Sequence, residues 1–195
     1  MAFQSLNKLF FDRAEQYAEK PFLWVKKNKE WSSLSWNETS LKVREFAGGL
    51  RSFGIKPGDK VVIVSENRPE WVIADLAINL IGAITVPAYT TNTEDDHHYI
   101  LDHSDAKAVI ASNNILANRV ALATTRTKLC KILITLDNYS GFEPDNLKII
   151  NFNEVSVFGK NNIDTALDHF NQIQPDDVSC IIYTSGTGGR PKGVM

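Results

Sequence analysis

Apolar positions change their spacing repeatedly along this chain, and each change marks an element. From Ser5 to Glu19 the residues Leu6, Leu9, Phe10, Ala14 and Tyr17 recur three and four apart, which predicts an amphipathic helix with that stripe turned inward. Pro21 to Lys26 and Glu30 to Trp36 are short aromatic segments joined by Lys27-Asn28-Lys29, the pattern of a β-hairpin with a basic turn. Ser35 and Glu38 are spaced as a capping box, and Val43, Phe46, Ala47 and Leu50 continue at helical spacing until Gly54. Lys56-Pro57-Gly58-Asp59 is turn chemistry, and Lys60 to Val64 is an unbroken β-branched run of the kind buried in parallel sheets. A helix is expected from Asn67 or Arg68 to about Ile81, with Pro69 in its first turn, Glu70 near its positive end and Gly82 as its stop.

Beyond it, Ile84 to Pro87, Ala108 to Ala111 and Ile132 to Leu136 read as strands, with helices opening at Thr93 and running through Ile115 to Thr124. Asp137 to Lys160 has polar turns around Gly141 and Pro144, a short apolar stretch at Leu147 to Ile150, then Phe152 and Val155; it reads as variable surface structure. Asp164 to Gln172 is expected to be helical, and Pro175-Asp176-Asp177 leads into a last strand, Ser179 to Thr184. The alternation of strand and helix predicts an α/β fold, a mainly parallel sheet flanked by helices, with ligands bound beyond the carboxyl ends of its strands.

At the carboxyl end of that last strand the sequence runs Tyr183-Thr184-Ser185-Gly186-Thr187-Gly188-Gly189-Arg190-Pro191-Lys192-Gly193. Glycines let main-chain N–H groups approach an anion, hydroxyls add donors, and Lys192 supplies a point charge, so the stretch reads as a phosphate cradle. The Walker pattern G-x-x-x-x-G-K-[ST] does not fit, because Lys192 follows Pro191 and precedes Gly193. A glycine- and threonine-rich segment taken alone is ordinary turn chemistry, and it is the full pattern that points further. The stretch resembles the first signature of the adenylate-forming (AMP-binding) enzymes, Tyr-Thr-Ser-Gly-Thr-Thr-Gly-x-Pro-Lys-Gly, at ten of eleven positions. The departure is Gly188 in place of threonine, which removes one hydroxyl donor. The segment from Gly58 to Glu94, with its SENRPEW and GAITVP phrasing, is similar to the long-chain fatty acyl-CoA synthetase branch.

That resemblance implies the amino-terminal part of an adenylation domain and an activity in two steps. A fatty-acid carboxylate attacks the α-phosphorus of ATP, releasing pyrophosphate, and the thiol of CoA then displaces AMP. It implies that Thr184, Ser185, Gly186, Thr187, Gly188 and Gly189 wrap the β- and γ-phosphates while Lys192 neutralises charge on the departing pyrophosphate. The magnesium-holding motif, the ribose-gripping aspartate, most of the acyl pocket and the catalytic lysine of a C-terminal domain would lie beyond Met195. No catalytic residue is therefore assigned within these 195 residues, and the expectation is a fragment, inactive alone, that stops just past its phosphate loop. Two other readings stay open: an adenylate former for aryl, short-chain or amino acids, and a scaffold that binds without chemistry.

Composition narrows the partners. A net charge of −2 gives no general attraction to nucleic acid, and Trp24, Trp31, Trp36 and Trp71 are not interleaved with a basic patch, so packing is their expected role. Two cysteines without C-x-x-C spacing form no disulfide framework, and Cys180, in an apolar strand, is expected in the core. The start of the chain lacks the apolar stretch of a signal peptide, and Trp71 to Ala88 is interrupted by Asp75, Asn79, Gly82 and Pro87. A cytoplasmic setting follows, with at most peripheral membrane contact, for which the lysines flanking Asn28 are the only candidate and ordinary solvation the simpler account. His97, His98 and His103 with Asp95, Asp96 and Asp102 could be imagined as a metal site, but no remote partner cluster accompanies them, and a solvated helix face is expected. Ser185 lies inside the cradle, which leaves no serine-centred triad to argue.

Overall fold

The computed structural model describes residues 5–184 and 189–195. Helix α1 (Leu6–Tyr17) is followed by a hairpin of β1 (Pro21–Lys27) and β2 (Glu30–Ser35), and α2 (Trp36–Ser52) leads into β3 (Lys60–Val64), α3 (Pro69–Leu80) and β4 (Ile84–Ala88). Then come α4 (Glu94–His103), β5 (Ala106–Ala111), α5 (Asn114–Thr124), β6 (Ile132–Thr135), β7 (Lys148–Asn151), α6 (Phe152–Gly159) and α7 (Ile163–Leu167), and finally β8 (Ile182–Thr184) and β9 (Lys192–Val194). Five strands form one sheet in the order β4-β3-β5-β6-β7, every neighbouring pair parallel.

Because strand side chains alternate between faces, the β-branched run of β3 feeds two cores at once. Val61 and Ile63 pack with α2, α3 and α6 on one face, and Val62 and Val64 pack with α4 and α5 on the other. Helix starts follow local chemistry. Ser35 and Glu38 form the reciprocal capping box of α2, Thr93 and Asp96 do the same for α4, and Pro69 occupies the first turn of α3 where its missing N–H is not needed. The turn between β1 and β2 places Asn28 and Lys29 at φ of 51° and 70°, the mirror-image geometry that matches strand twist.

Several expectations are corrected. The stretch from Leu147 to Gly159 is not variable surface: β7 pairs with β6 as a sheet edge, and α6 buries Phe152 and Val155 against α2, with the Phe46 and Phe152 rings stacked at 4.0 Å. Gly49 and Gly159 make this crossing possible, since a Cβ on Gly159 would lie 1.6 Å from the Glu45 carbonyl oxygen and one on Gly49 would lie 2.1 Å from that of Val155. The helix expected over Asp164 to Gln172 is reduced to α7 and a 3-10 turn at Phe170–Gln172. Trp36 and Trp71 pack as expected, whereas Trp24 and Trp31 are 56% and 64% exposed on the outer face of the β1–β2 hairpin.

The last strand departs most from expectation. The Thr85 N–H donates to the Ser179 carbonyl and the Ile181 N–H to the Thr85 carbonyl, a single parallel bridge centred on Cys180 at the outer edge of β4. The next residue of β4 that turns its backbone outward is Pro87, two positions on, and proline has no N–H to offer. Pairing stops there, and β8 leaves the sheet to form its own antiparallel hairpin with β9. Cys180 is accordingly half-buried and not a core residue; Cys130 is buried, and burial pushes its thiol up to about 12.

Candidate functional site

The β8–β9 hairpin carries the glycine-rich loop at its tip. Its register pairs Ile182 with Val194, Tyr183 with Gly193 and Thr184 with Lys192. Thr184 and Lys192 therefore stand opposite one another at the mouth of the loop, both exposed, so a hydroxyl donor and an ammonium share one edge. Among the described residues Lys192 enters no ion pair, which leaves its charge available to an anion. Gly189, the first described residue past the tip, has φ of 116°, a conformation that glycine adopts without strain. Ser185, Gly186, Thr187 and Gly188, the other members of the expected cradle, lie outside the described residues. Gly193 serves a different purpose: a Cβ there would come within 2.8 Å of the Ile181 side chain and 3.4 Å of the Tyr183 ring.

Tyr183 anchors the hairpin to the body of the molecule. It is buried in the α4–α5 face of the core, and its phenol is pushed up to about 12, first by burial and then by the neighbouring Tyr99. An open crevice of about 390 Å³ lies beyond the carboxyl ends of β3 and β4, with Glu66, Trp71, Tyr89, Ile182 and Tyr183 on its walls. A larger depression of about 810 Å³ sits at the opposite ends of those strands, between α1, α3 and residues 169–179. Neither is lined by lysine or arginine; what distinguishes the smaller crevice is its place beside the hairpin that carries Lys192.

The generic rule for open parallel sheets points elsewhere, to the crevice where connections leave neighbouring strands in opposite directions. Here that point lies between β3 and β5, since β3 connects outward to β4 and β5 connects the other way to β6. The space is already filled. Glu66, just past β3, accepts from the Ser112 hydroxyl and, at 2.8 Å, from the Asn113 side-chain amide, both just past β5. The Ser112 hydrogen bond is the main reason its carboxyl titrates below the usual range. Arg68 adds a bracket across the same end of the sheet, bonding Glu70 at 2.9 Å and Asp137 at 3.1 Å. The open crevice at this end of the sheet lies instead toward the β4 edge, where the hairpin stands.

Asp95, Asp96, Asp102 and His103 of α4 are exposed, as a solvated face requires, and His97 is the exception. His97 is 1% exposed, both ring nitrogens lack partners among the described residues, and burial lowers it to about 4. His103 meets the hairpin, its Nδ1 lying 2.8 Å from the Tyr183 hydroxyl. Asp95 and Asp96 are engaged as well, the first with Arg126 at 2.8 Å and the second in the Thr93 cap. Among the described residues no three His, Cys, Asp or Glu side chains converge as metal ligands. Nor, among them, is any helix long and apolar enough to cross a membrane. Sequence reasoning missed the link between His103 and the hairpin because 80 residues separate its two ends.

Known proteins share both the sequence and the shape. The chain is 31% identical over 175 residues to the long-chain-fatty-acid–CoA ligase FadD15 of Mycobacterium tuberculosis, an alignment covering 84% of this chain and 26% of that protein. It is 25% identical over 202 residues to the probable acyl-activating enzyme 16 of Arabidopsis thaliana, covering 98% of this chain and 28% of that one. It thus spans about a quarter of the length of the curated relatives it matches. Among solved structures, a benzoate CoA ligase from Burkholderia xenovorans superposes with a TM-score of 0.74 at 26% identity, covering 98% of this chain and 34% of that one. The carboxylic acid reductase A-PCP didomain from Segniliparus rugosus, in complex with AMP, superposes with a TM-score of 0.81 at 18% identity, over 99% of this chain and 32% of that one. Residues 10–195, nearly the whole chain with the glycine-rich hairpin included, match the family of AMP-binding enzymes, and it is to this family that the chain belongs.

Proposed function

We propose that the chain forms the amino-terminal part of an adenylation domain and supplies the ATP-phosphate cradle of an enzyme that activates a long-chain fatty acid for transfer to CoA. The observation that carries this reading is the pairing of Thr184 with Lys192 across the base of the glycine loop. Phosphoryl chemistry needs little covalent help from protein; it needs donors and positive charge held where charge develops. In the first step the acid's carboxylate forms a bond to the α-phosphorus and the bond to the bridging oxygen of pyrophosphate breaks. Lys192 faces the departing charge, and the Thr184 hydroxyl and loop amides share it. The thiol of CoA then attacks the acyl carbonyl and AMP leaves. Magnesium, when bound, would neutralise phosphate charge; the described residues converge on no site for it.

Long-chain acids are favoured over other carboxylates by the names of relatives such as the Mycobacterium tuberculosis ligase and by the SENRPEW segment, which lies at the end of β3 and the start of α3. Pyrophosphate exchange by the complete protein, with ATP, magnesium and acids from acetate to palmitate, tests the reading. Exchange that peaks with long chains is expected. A maximum with benzoate or an amino acid would reassign the substrate, and no exchange from folded protein would leave a binding scaffold.

A further inference from the structure

Helix α4 is the unexplained element beside the site. It is held from below by Ile100 and Leu101 in the core and at its start by the Thr93 capping box. Its upper face presents Tyr99 and His103, one turn apart, and these two reach both arms of the glycine-rich hairpin, β8 and the residue just before β9. His103 Nδ1 pairs with the Tyr183 hydroxyl at 2.8 Å, on the strand entering the loop. The Tyr99 hydroxyl donates to the Pro191 carbonyl at 2.8 Å, on the segment leaving it. Tyr99 and His103 also pack edge-on against Tyr183, at 6.1 and 5.7 Å between ring centroids. The other face of Tyr99's reach is cationic, with the Arg190 guanidinium 5.1 Å from its ring centroid. Against these contacts stands the single bridge that ties the hairpin's approach to the sheet.

We propose that Tyr99 and His103 are positioning residues for the phosphate loop, a clasp on α4 that fixes where Thr184 and Lys192 stand relative to the ATP phosphates. The inference rests on the proposed function for its ligand, but the clasp itself can be read without ATP. Trypsin supplies the readout: Lys192–Gly193 is a cleavable bond inside β9, whereas Arg190 is protected by the proline that follows it. Three variants of the complete protein separate the contributions. Tyr99→Phe removes one hydroxyl, Tyr99→Phe with His103→Leu removes both hydrogen bonds, and His103→Asn returns a polar group near the Nδ1 position.

Cleavage at Lys192–Gly193 is expected to quicken about tenfold in the double variant and about threefold in Tyr99→Phe, the scale of losing neutral hydrogen bonds, and to stay near the wild-type rate in His103→Asn. In pyrophosphate exchange KM for ATP is expected to rise in the same order while KM for the acid moves less than twofold. Unchanged cleavage in the double variant would overturn the clasp. Faster cleavage with KM for ATP unmoved would overturn its positioning role. Should the wild-type protein exchange no pyrophosphate, it is the proposed function that fails, and cleavage alone then decides the clasp. The urea midpoint of each variant separates loss of the clasp from loss of the fold.

Discussion

Two glycine-rich places in this molecule use the same residue for opposite ends. At the α2–α6 crossing, Gly49 and Gly159 are absent side chains, spaces into which another helix's backbone is pressed. At the loop, Gly189 has nothing within 4 Å of where a Cβ would be, and what it contributes is a backbone angle. One region is glycine because the fold is crowded, the other because the chain must turn. A run of glycines in sequence therefore says little until what surrounds each is known.

Substitution should split the two regions cleanly. Gly159→Ala forces backbone apart and is expected to destabilise by about 4 kcal/mol, at the upper end for overpacking, as read from a urea midpoint; a loss below about 1 kcal/mol would dissolve the contrast. Lys192→Ala should do the reverse, leaving the urea midpoint in place and slowing pyrophosphate exchange by about 10² to 10³, or about 3 to 4 kcal/mol of barrier. An unchanged rate would remove Lys192 from the cradle.

The helix between the regions can be probed by acid. Burial holds His97 at about 4, below the ordinary imidazole value near 6.5, with the Arg119 charge acting the same way and Asp96 opposing. The unfolded chain then takes up a proton that the folded chain refuses, so stability is whole above about pH 6.5, falls as pH drops toward 4 and is level for this group below that. About 3 kcal/mol is at stake, and His97→Leu should flatten that part of the stability profile. Smallest of all, Gly189→Ala should cost about 1 to 2 kcal/mol in stability, the strain of a side chain held at a φ of 116°, while still slowing exchange.

Much of this was legible locally. The Ser35–Glu38 and Thr93–Asp96 spacings announce their capping boxes, Pro69 and Gly82 bracket α3, and the β3 run declares a strand buried on both faces. Features that depend on distant partners were not. β7 is four residues long and owes its place to β6; α6 owes its burial to a close crossing with α2 that needs a glycine on each helix; His97 reads as polar and is enclosed by packing. At the site, the composition of the loop was readable, but the pairing of Thr184 with Lys192, the grip of α4 and the sealing of the β3–β5 crevice by Glu66 all bring together residues from separate elements.

Pro87 has a consequence beyond ending a ladder. Among the described residues a single bridge joins the hairpin's approach to the sheet, so their amide protons should exchange with solvent on separate clocks: those of β3 and β5 only when the whole sheet opens, those of β8 and β9 whenever the hairpin lifts. A donor at that position would let the ladder run on and merge the two clocks into one. A single missing hydrogen thus leaves the hairpin tied to the scaffold by side chains and not by a shared ladder.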